Sequence, residues 1–331
     1  MAIASQELEF IGTALAKLRT EVGRAVVGQQ EVIDQTLVAF VASGHILYEG
    51  LPGLGKTLLA RALAQAMSLQ FSRVQFTPDL MPSDLTGHAV LEPSASGGIG
   101  TLRLRKGPIF TNLLLGDEIN RAPAKTQSAL LEVMQERQVT LEGQTVSLPQ
   151  PFMVLATQNP IDSEGTYPLP EAQLDRFLFH VRVGYPSAAE EIEILKRTTG
   201  GERPTVVPVF SGRELVQLQD LVRRVPVPEE VYALVVRLVQ STRPGAAGTT
   251  PVPDVTEWLQ WGAGPRAGQV LILGAKARAL LHGRFHAAPE DLRALAPPAL
   301  RHRLVPGFAA AARGLTADIL VERLVQAIIP A

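Results

Sequence analysis

The residues that most restrict what this chain can become are Gly50-Leu51-Pro52-Gly53-Leu54-Gly55-Lys56-Thr57. They match the GxxxxGK[ST] pattern of a phosphate-binding loop without deviation. Glycines let the backbone curl until several N–H groups face one anion. Such a loop sits between a buried strand and a helix, and both flanks agree. His45-Ile46-Leu47-Tyr48-Glu49 reads as a short strand, and Lys56–Ser68 reads as a helix whose N-terminus favours phosphate. Lys56 would reach the β- and γ-phosphates of a nucleotide, and Thr57 would place its hydroxyl on Mg²⁺. The expected binding segment runs from Gly50 through Leu58.

The rest of the N-terminal half repeats this alternation. Phe71–Phe76, Phe110–Leu115, Phe152–Thr157 and Phe177–Val183 are short aliphatic or aromatic runs bounded by polar, Gly or Pro residues. Helical patterns lie at Thr126–Arg137 and Pro170–Leu174. Strand alternating with helix implies a parallel sheet covered on both faces. Two segments break the pattern. Gln138–Leu148 reads as a β-hairpin turning at Glu142-Gly143, and Ala89–Leu104 as another turning near Gly97-Gly98. After Tyr185-Pro186 strand patterns stop. Helical patterns follow at Ala188–Thr198, Gly212–Arg223, Pro228–Ser241, Ala267–His282, Pro289–Ala296 and Thr316–Ile329. The expectation is an α/β core over residues 1–185 and an all-helical domain over 186–331. Leu8, Ile11, Leu15, Leu18 and Val22 recur at helical spacing, so the N-terminus reads as an amphipathic helix.

Composition removes whole classes of chemistry. There are no cysteines, which excludes disulfides, thiol nucleophiles, iron–sulfur clusters and thiolate zinc sites. Lys and Arg number 31 against 32 Asp and Glu, a net charge of −1 that gives no global pull toward nucleic acid. No apolar run approaches the roughly 20 residues of a membrane span, and a cytoplasmic location is expected.

A second chemical signal is Asn112-Leu113-Leu114-Leu115-Gly116-Asp117-Glu118. An apolar strand ending in Asp-Glu is the Walker B arrangement. Neighbouring strand residues point to opposite faces, so the two carboxylates can take different work. Asp117 would hold the Mg²⁺ shell beside Thr57, and Glu118 would act on the attacking water as general base. A third strand ends in Thr157-Gln158-Asn159-Pro160. At the carboxyl edge of a parallel sheet Asn159 would meet the γ-phosphate or the water, or would simply start a turn. Arg301-His302-Arg303 reads as a solvated face or subunit contact, and Trp258 and Trp261 as packing. His282 and His286 lack the glutamate of HExxH.

With these residues in view, the chain resembles the MoxR family of AAA+ ATPases. The matching stretches are Val27-Gly28-Gln29, the phosphate loop, Phe76 to Gly87, Gly107-Pro108-Ile109-Phe110, Asp117 to Ala122, Ala156 to Pro160, Gly165 to Phe177 and Gly264 to Ala267. The resemblance implies a three-layer P-loop domain with a five-stranded parallel sheet in the order 5-1-4-3-2, then a helical lid. It implies that Val27, Gly28 and Gln29 contact adenine and that Asn159 is the sensor 1 residue. Arg176 matches the arginine finger that acts on a neighbouring subunit's nucleotide, with Arg121 a rival. Arg266 matches the sensor 2 arginine, which reaches the γ-phosphate from the lid. The two hairpins match the helix-2 and pre-sensor-1 insertions. Gly116 and Gly264 stand where the family has alanine and serine. The implied function is Mg²⁺-dependent ATP hydrolysis by a homo-oligomeric ring of six, with chaperone-like remodelling of a protein client and a von Willebrand A-domain partner. A DNA-acting motor and an ATP-dependent switch with negligible turnover are the alternatives.

Overall fold

The computed structural model describes residues 5–92, 101–161, 165–200, 205–245, 252 and 255–330. Five short strands form one parallel sheet: β1 (Ile46–Glu49), β2 (Phe71–Gln75), β3 (Leu113–Asp117), β4 (Met153–Gln158) and β5 (Phe179–Arg182). Their spatial order is β2-β3-β4-β1-β5, the order the resemblance implies. Because all five run the same way, the sheet has one carboxyl edge and one amino edge. The three inner strands, β1, β3 and β4, are buried on both sides. Ile46, Tyr48, Leu113, Leu115, Met153 and Leu155 enter one core, while Leu47, Leu114, Val154 and Ala156 enter another. This is the two-residue period of a strand, with apolar residues at every position because both faces are covered.

The first core is closed by α1 (Ser5–Ala25), α2 (Gln30–Val41), α3 (Lys56–Ala66) and the lid; the second is closed by α4 (Ala124–Glu136). Ile11, Leu15, Leu18 and Val22 of α1 are buried, as their spacing predicts. Arg19 on α1 grips Asp34 on α2 with two hydrogen bonds of 2.6 and 2.5 Å. The strand expected from Phe110 begins at Leu113, because Phe110 is already committed to a turn with Gly107. Both hairpins form. Gly87–Glu92 pairs antiparallel with Thr101–Lys106, although the expected turn at Gly97-Gly98 lies outside the described residues. Gln138–Leu141 pairs with Gln144–Ser147 around Glu142 and Gly143, whose φ values of 48° and 78° make the tight left-handed turn.

The lid comprises α5 (Ala188–Thr199), α6 (Gly212–Arg223), α7 (Glu229–Gln240), α8 (Pro265–Leu281), α9 (Pro289–Leu300) and α10 (Ala317–Ile328), with a short helix at Phe308–Ala312. Helices α5 and α6 each open on a capping box, Ser187 with Glu190 and Ser211 with Glu214. The helices are joined by one feature the sequence pattern did not predict, a two-stranded antiparallel ribbon of Leu259–Trp261 with Val305–Pro306. Helix α9 also runs past Ala296 through Pro297 and Pro298, because burial of Pro298, Ala299 and Leu300 outweighs the lost hydrogen bonds. Trp258 packs under Arg313, whose guanidinium lies 4.6 Å from the ring centroid, whereas Trp261 is 68% exposed and packs little.

Arg301-His302-Arg303 is an interior clasp, not a solvated face. Arg303 is 7% exposed and bonds the Asp175 carboxylate at 2.7 Å and the Phe177 carbonyl at 2.7 Å, with Leu178 and Ala299 carbonyls nearby. Arg301 pairs with Asp318 at 2.8 Å and donates to the His180 carbonyl at 3.1 Å. The run therefore fastens the end of α9 to β5 and its approach. Among the described residues, no helix is long and apolar enough to cross a membrane.

Candidate functional site

The glycine-rich loop leaves β1 at the carboxyl edge and enters α3. Gly53 and Gly55 have φ of 83° and 79°, a region that strains other residues. At Gly50 a Cβ would come within 2.6 Å of the Val183 carbonyl oxygen, so the loop's tight exit from β1 requires glycine. Gly55 precedes α3 with no side-chain cap, which leaves the first-turn N–H groups for an incoming anion. Lys56 turns its ammonium back onto the Gly50 and Leu51 carbonyls at 2.5 and 3.0 Å. Burial pulls its pKa down, opposed by the nearby Asp117 and Glu118 carboxylates.

A cavity of about 380 Å³ opens over this loop. Lys56, Thr57, Asp117, Glu118 and Asn159 all line it, as do Gly50, Pro52, Gly53, Leu54, Gly55 and Leu58. The two carboxylate residues are anchored by Thr157, which is buried. Its hydroxyl donates to Asp117 Oδ1 at 2.6 Å and accepts the Glu118 backbone N–H at 2.9 Å. Glu118 sits in the left-handed region with φ 57°, which turns its side chain off the strand end. From β2, Arg73 donates to Asp117 Oδ2 at 2.7 Å and Gln75 donates to Glu118 Oε2 at 3.0 Å. Arg121 reaches the same Glu118 oxygen at 3.2 Å, so this rival finger engages its own chain's carboxylate. Arg73, Gln75 and Thr157 were not among the residues expected from sequence. The tight packing against Gly116 also has a local cause, since a Cβ there would lie 3.2 Å from the Phe76 ring.

The donors suit a hard cation. Thr57 offers a hydroxyl and Asp117 a carboxylate, and Mg²⁺ characteristically takes one or two protein oxygens plus substrate phosphates and water. Among the described residues no cluster of three or more His, Cys, Asp or Glu could hold a metal alone, so the fit is for a cation carried by a phosphate ligand.

A second, more apolar cavity of about 450 Å³ adjoins the first and shares Gly53, Leu54, Gly55 and Leu58 with it. Its other walls are Ala25, Val26, Val27, Gln29, Pro186, Ile194, Arg197 and Thr198, and Gly28 stands behind them. Gly28, with φ 69°, packs so closely on α5 that a Cβ would lie 2.3 Å from Glu190 Oε1, and Gln29 donates to the Leu54 carbonyl at 3.2 Å. A flat ring in the apolar cavity and a polyphosphate in the polar one would share that common wall.

The two remaining arginines lie elsewhere. Arg176 precedes β5 and donates to the Leu131 carbonyl at 2.6 Å. It lines a third cavity, of about 520 Å³, together with Arg266, Asp175, His45 and the end of α4. His45 precedes β1, so this cavity opens at the amino edge of the sheet. Arg266, expected as the sensor 2 arginine that reaches a γ-phosphate from the lid, lies apart from its own chain's phosphate loop. Among the described residues it lines no part of the phosphate cavity and faces Asp175 at 3.6 Å. The cause is the docking of the lid, since α8, which carries Arg266, packs on α1 and α2.

Comparison with known proteins matches residues 45–179 to the ATPase family associated with various cellular activities (AAA), and residues 254–324 to the AAA lid domain. The chain is 44% identical over 309 residues to Chaperone MoxR1 of Mycobacterium tuberculosis, covering 93% of this chain and 80% of that one. It is 32% identical to Protein MoxR of Methylorubrum extorquens, covering 88% and 87%. A solved structure assigned as an ATPase, from Cytophaga hutchinsonii, superposes with a TM-score of 0.88 at 37% identity, over 99% of this chain and 98% of that one.

Proposed function

The chain belongs to the MoxR family of AAA+ ATPases, and on that premise we propose that it hydrolyses ATP to ADP and phosphate with Mg²⁺, as a ring of identical subunits. The observation that carries this reading is the convergence of Lys56, Thr57, Asp117, Glu118 and Asn159 on one cavity beside an apolar one. Adenine lies against Val27, Gly28 and Gln29, and the triphosphate in the loop from Gly50 to Leu58. Thr57 and Asp117 hold Mg²⁺, which when bound neutralises phosphate charge. Lys56 leaves the loop carbonyls for the β- and γ-phosphates. Glu118 takes the proton of the attacking water, and Asn159 orients that water against the γ-phosphate. Little covalent work falls to the protein in phosphoryl transfer, so positioning and charge carry the rate.

Arg176 and Arg266 serve a neighbour. They sit at the amino edge of the sheet, separated from their own phosphate loop by the strands, about 13 Å at roughly 3.3 Å per residue. Head-to-tail contacts that join an amino edge to the next carboxyl edge generate rings when they close, and six is the expected number. Nucleotide-dependent changes at these joints move the subunits and remodel a protein client in the cytoplasm, with a von Willebrand A-domain protein as partner. The word chaperone in the name of the Mycobacterium relative supports this role.

Subunit mixing tests the arrangement. Glu118→Gln alone lacks the base at every site and should lower turnover at least about tenfold, and Arg176→Ala alone lacks the finger and should lower it by about a thousandfold or more. Mixed rings rebuild complete sites wherever an Arg176→Ala subunit supplies the base and a Glu118→Gln neighbour supplies the arginine. ATPase activity of the mixture should therefore exceed that of either variant. With exchange verified by native mass spectrometry, activity that stays at the floor would refute action across the joint.

A further inference from the structure

The cavity that holds Arg176 and Arg266 contains more positive charge than two such arginines supply. Arg137, Arg223 and Arg303 also line it, and Asp175 is the one carboxylate among its described walls. Asp175 is already engaged by Arg303 at 2.7 Å and by Arg266 at 3.6 Å. Arg137 and Arg223 share the cavity wall, close enough for the charge of one to act on the other. Arg137 is held by the Ser43 hydroxyl at 2.9 Å, a neutral partner, and Lys276 donates to the Arg223 backbone carbonyl at 2.7 Å, adding a further cation nearby. Burial and the neighbouring Arg223 both pull the Arg137 pKa down. Five arginines around a cavity with one carboxylate, already engaged, suit a polyanion that arrives from outside.

The position of Arg137 adds a second observation. It is the last residue of the α4 turn, in the left-handed conformation with φ 53°, and the Gln138–Ser147 hairpin starts at the next residue. Its carbonyl accepts the Leu148 N–H at 3.0 Å, so its backbone also ties the returning strand. A force on this guanidinium acts on both legs of the hairpin at their root.

We infer that Arg137, seconded by Arg223, is a third contact for the terminal phosphates of the neighbouring subunit's ATP, and that it transmits their presence to the Gln138–Ser147 hairpin. The inference rests on the ring proposed above. When the phosphates enter the cavity, Arg137 exchanges Ser43 for a charge-assisted partner, and the hairpin root moves with it. When the γ-phosphate leaves, the bond to Ser43 re-forms. Each hairpin thereby reports the nucleotide of the next subunit and not of its own.

Hydrogen exchange at residues 138–148 tests this in full-length Glu118→Gln protein, which keeps ATP intact. ATP should slow exchange of the hairpin by about tenfold, within the usual range of coupling between sites. In Glu118→Gln/Arg137→Gln that response should vanish, while ATP protection of residues 53–58 and the ring mass persist; Arg137→Lys should restore part of it. Arg223 is exposed, so Arg223→Gln leaves the fold undisturbed and should weaken the response. A hairpin response that survives both Gln substitutions overturns the inference and leaves the ring intact. A response that appears in a species of monomer mass instead overturns the ring reading itself. Native mass spectrometry on the same samples separates the two failures.

Discussion

One hydroxyl, on Thr157, holds the two residues on which the proposed chemistry depends. It donates to the Asp117 carboxylate and accepts from the Glu118 backbone amide, so it holds one carboxylate directly and the other through its backbone. Thr157→Val keeps the shape and removes both bonds. By analogy with supporting contacts around metal sites, turnover should fall by about ten- to a hundredfold with little change in KM. Steady-state kinetics check this, and Thr157→Ser should recover most of the loss. A Val variant with normal turnover would reduce Thr157 to packing. The residues with fixed spacing along the chain, Lys56, Thr57, Asp117 and Glu118, were readable from sequence. Thr157, Arg73 and Gln75 were not, because they meet the carboxylates through strand register. Gln75 stands opposite Asp117 and Gly116 opposite Ala156 only once the sheet exists.

At the scale of elements, strand–helix alternation, both hairpins and most lid helices were visible as hydrophobic periodicity and turn chemistry. The ribbon at Leu259–Trp261 was too short to give a period, and α9 hides behind two prolines that packing tolerates. The Arg301-His302-Arg303 clasp was misjudged because charge suggests solvent, while its partners are mainly backbone carbonyls, which leave no mark in a sequence. Replacing Arg303 by Met tests its weight. The change leaves the Asp175 carboxylate without its shortest ion pair and removes the donor to four carbonyls, of Asp175, Phe177, Leu178 and Ala299. Asp175 is partly exposed and keeps Arg266 at 3.6 Å, so the cost is below that of a fully buried pair, about 1–3 kcal/mol, and the urea midpoint should fall measurably. A change below about 0.5 kcal/mol would place the clasp among contacts that matter little.

Across the whole molecule, two buried histidines set the acid limit. His45 donates to the Met134 carbonyl at 2.9 Å and accepts the Val154 N–H at 3.0 Å, and burial brings its pKa down to about 4. His302 is lowered too, by burial and by Arg303 beside it. In the unfolded chain both titrate near 6.5, so the unfolded state binds more protons below that pH. The stability they provide is complete above about pH 6.5 and falls as the pH drops toward 4, at up to about 1.4 kcal/mol per pH unit for each histidine. Urea unfolding across that window should show the slope, and a flat profile would mean that both rings take up protons in the folded chain as readily as in the unfolded one. The all-parallel sheet has a consequence of a different kind. Every strand points from the arginine cavity toward the phosphate loop, which makes each copy an arrow. Arrows joined head to tail in a circle all point the same way round, so such an assembly has a built-in sense of rotation. In a ring of the proposed kind, a message that starts at one nucleotide would meet arginines on one side only, and its sense of travel would follow the direction in which the backbone threads the sheet.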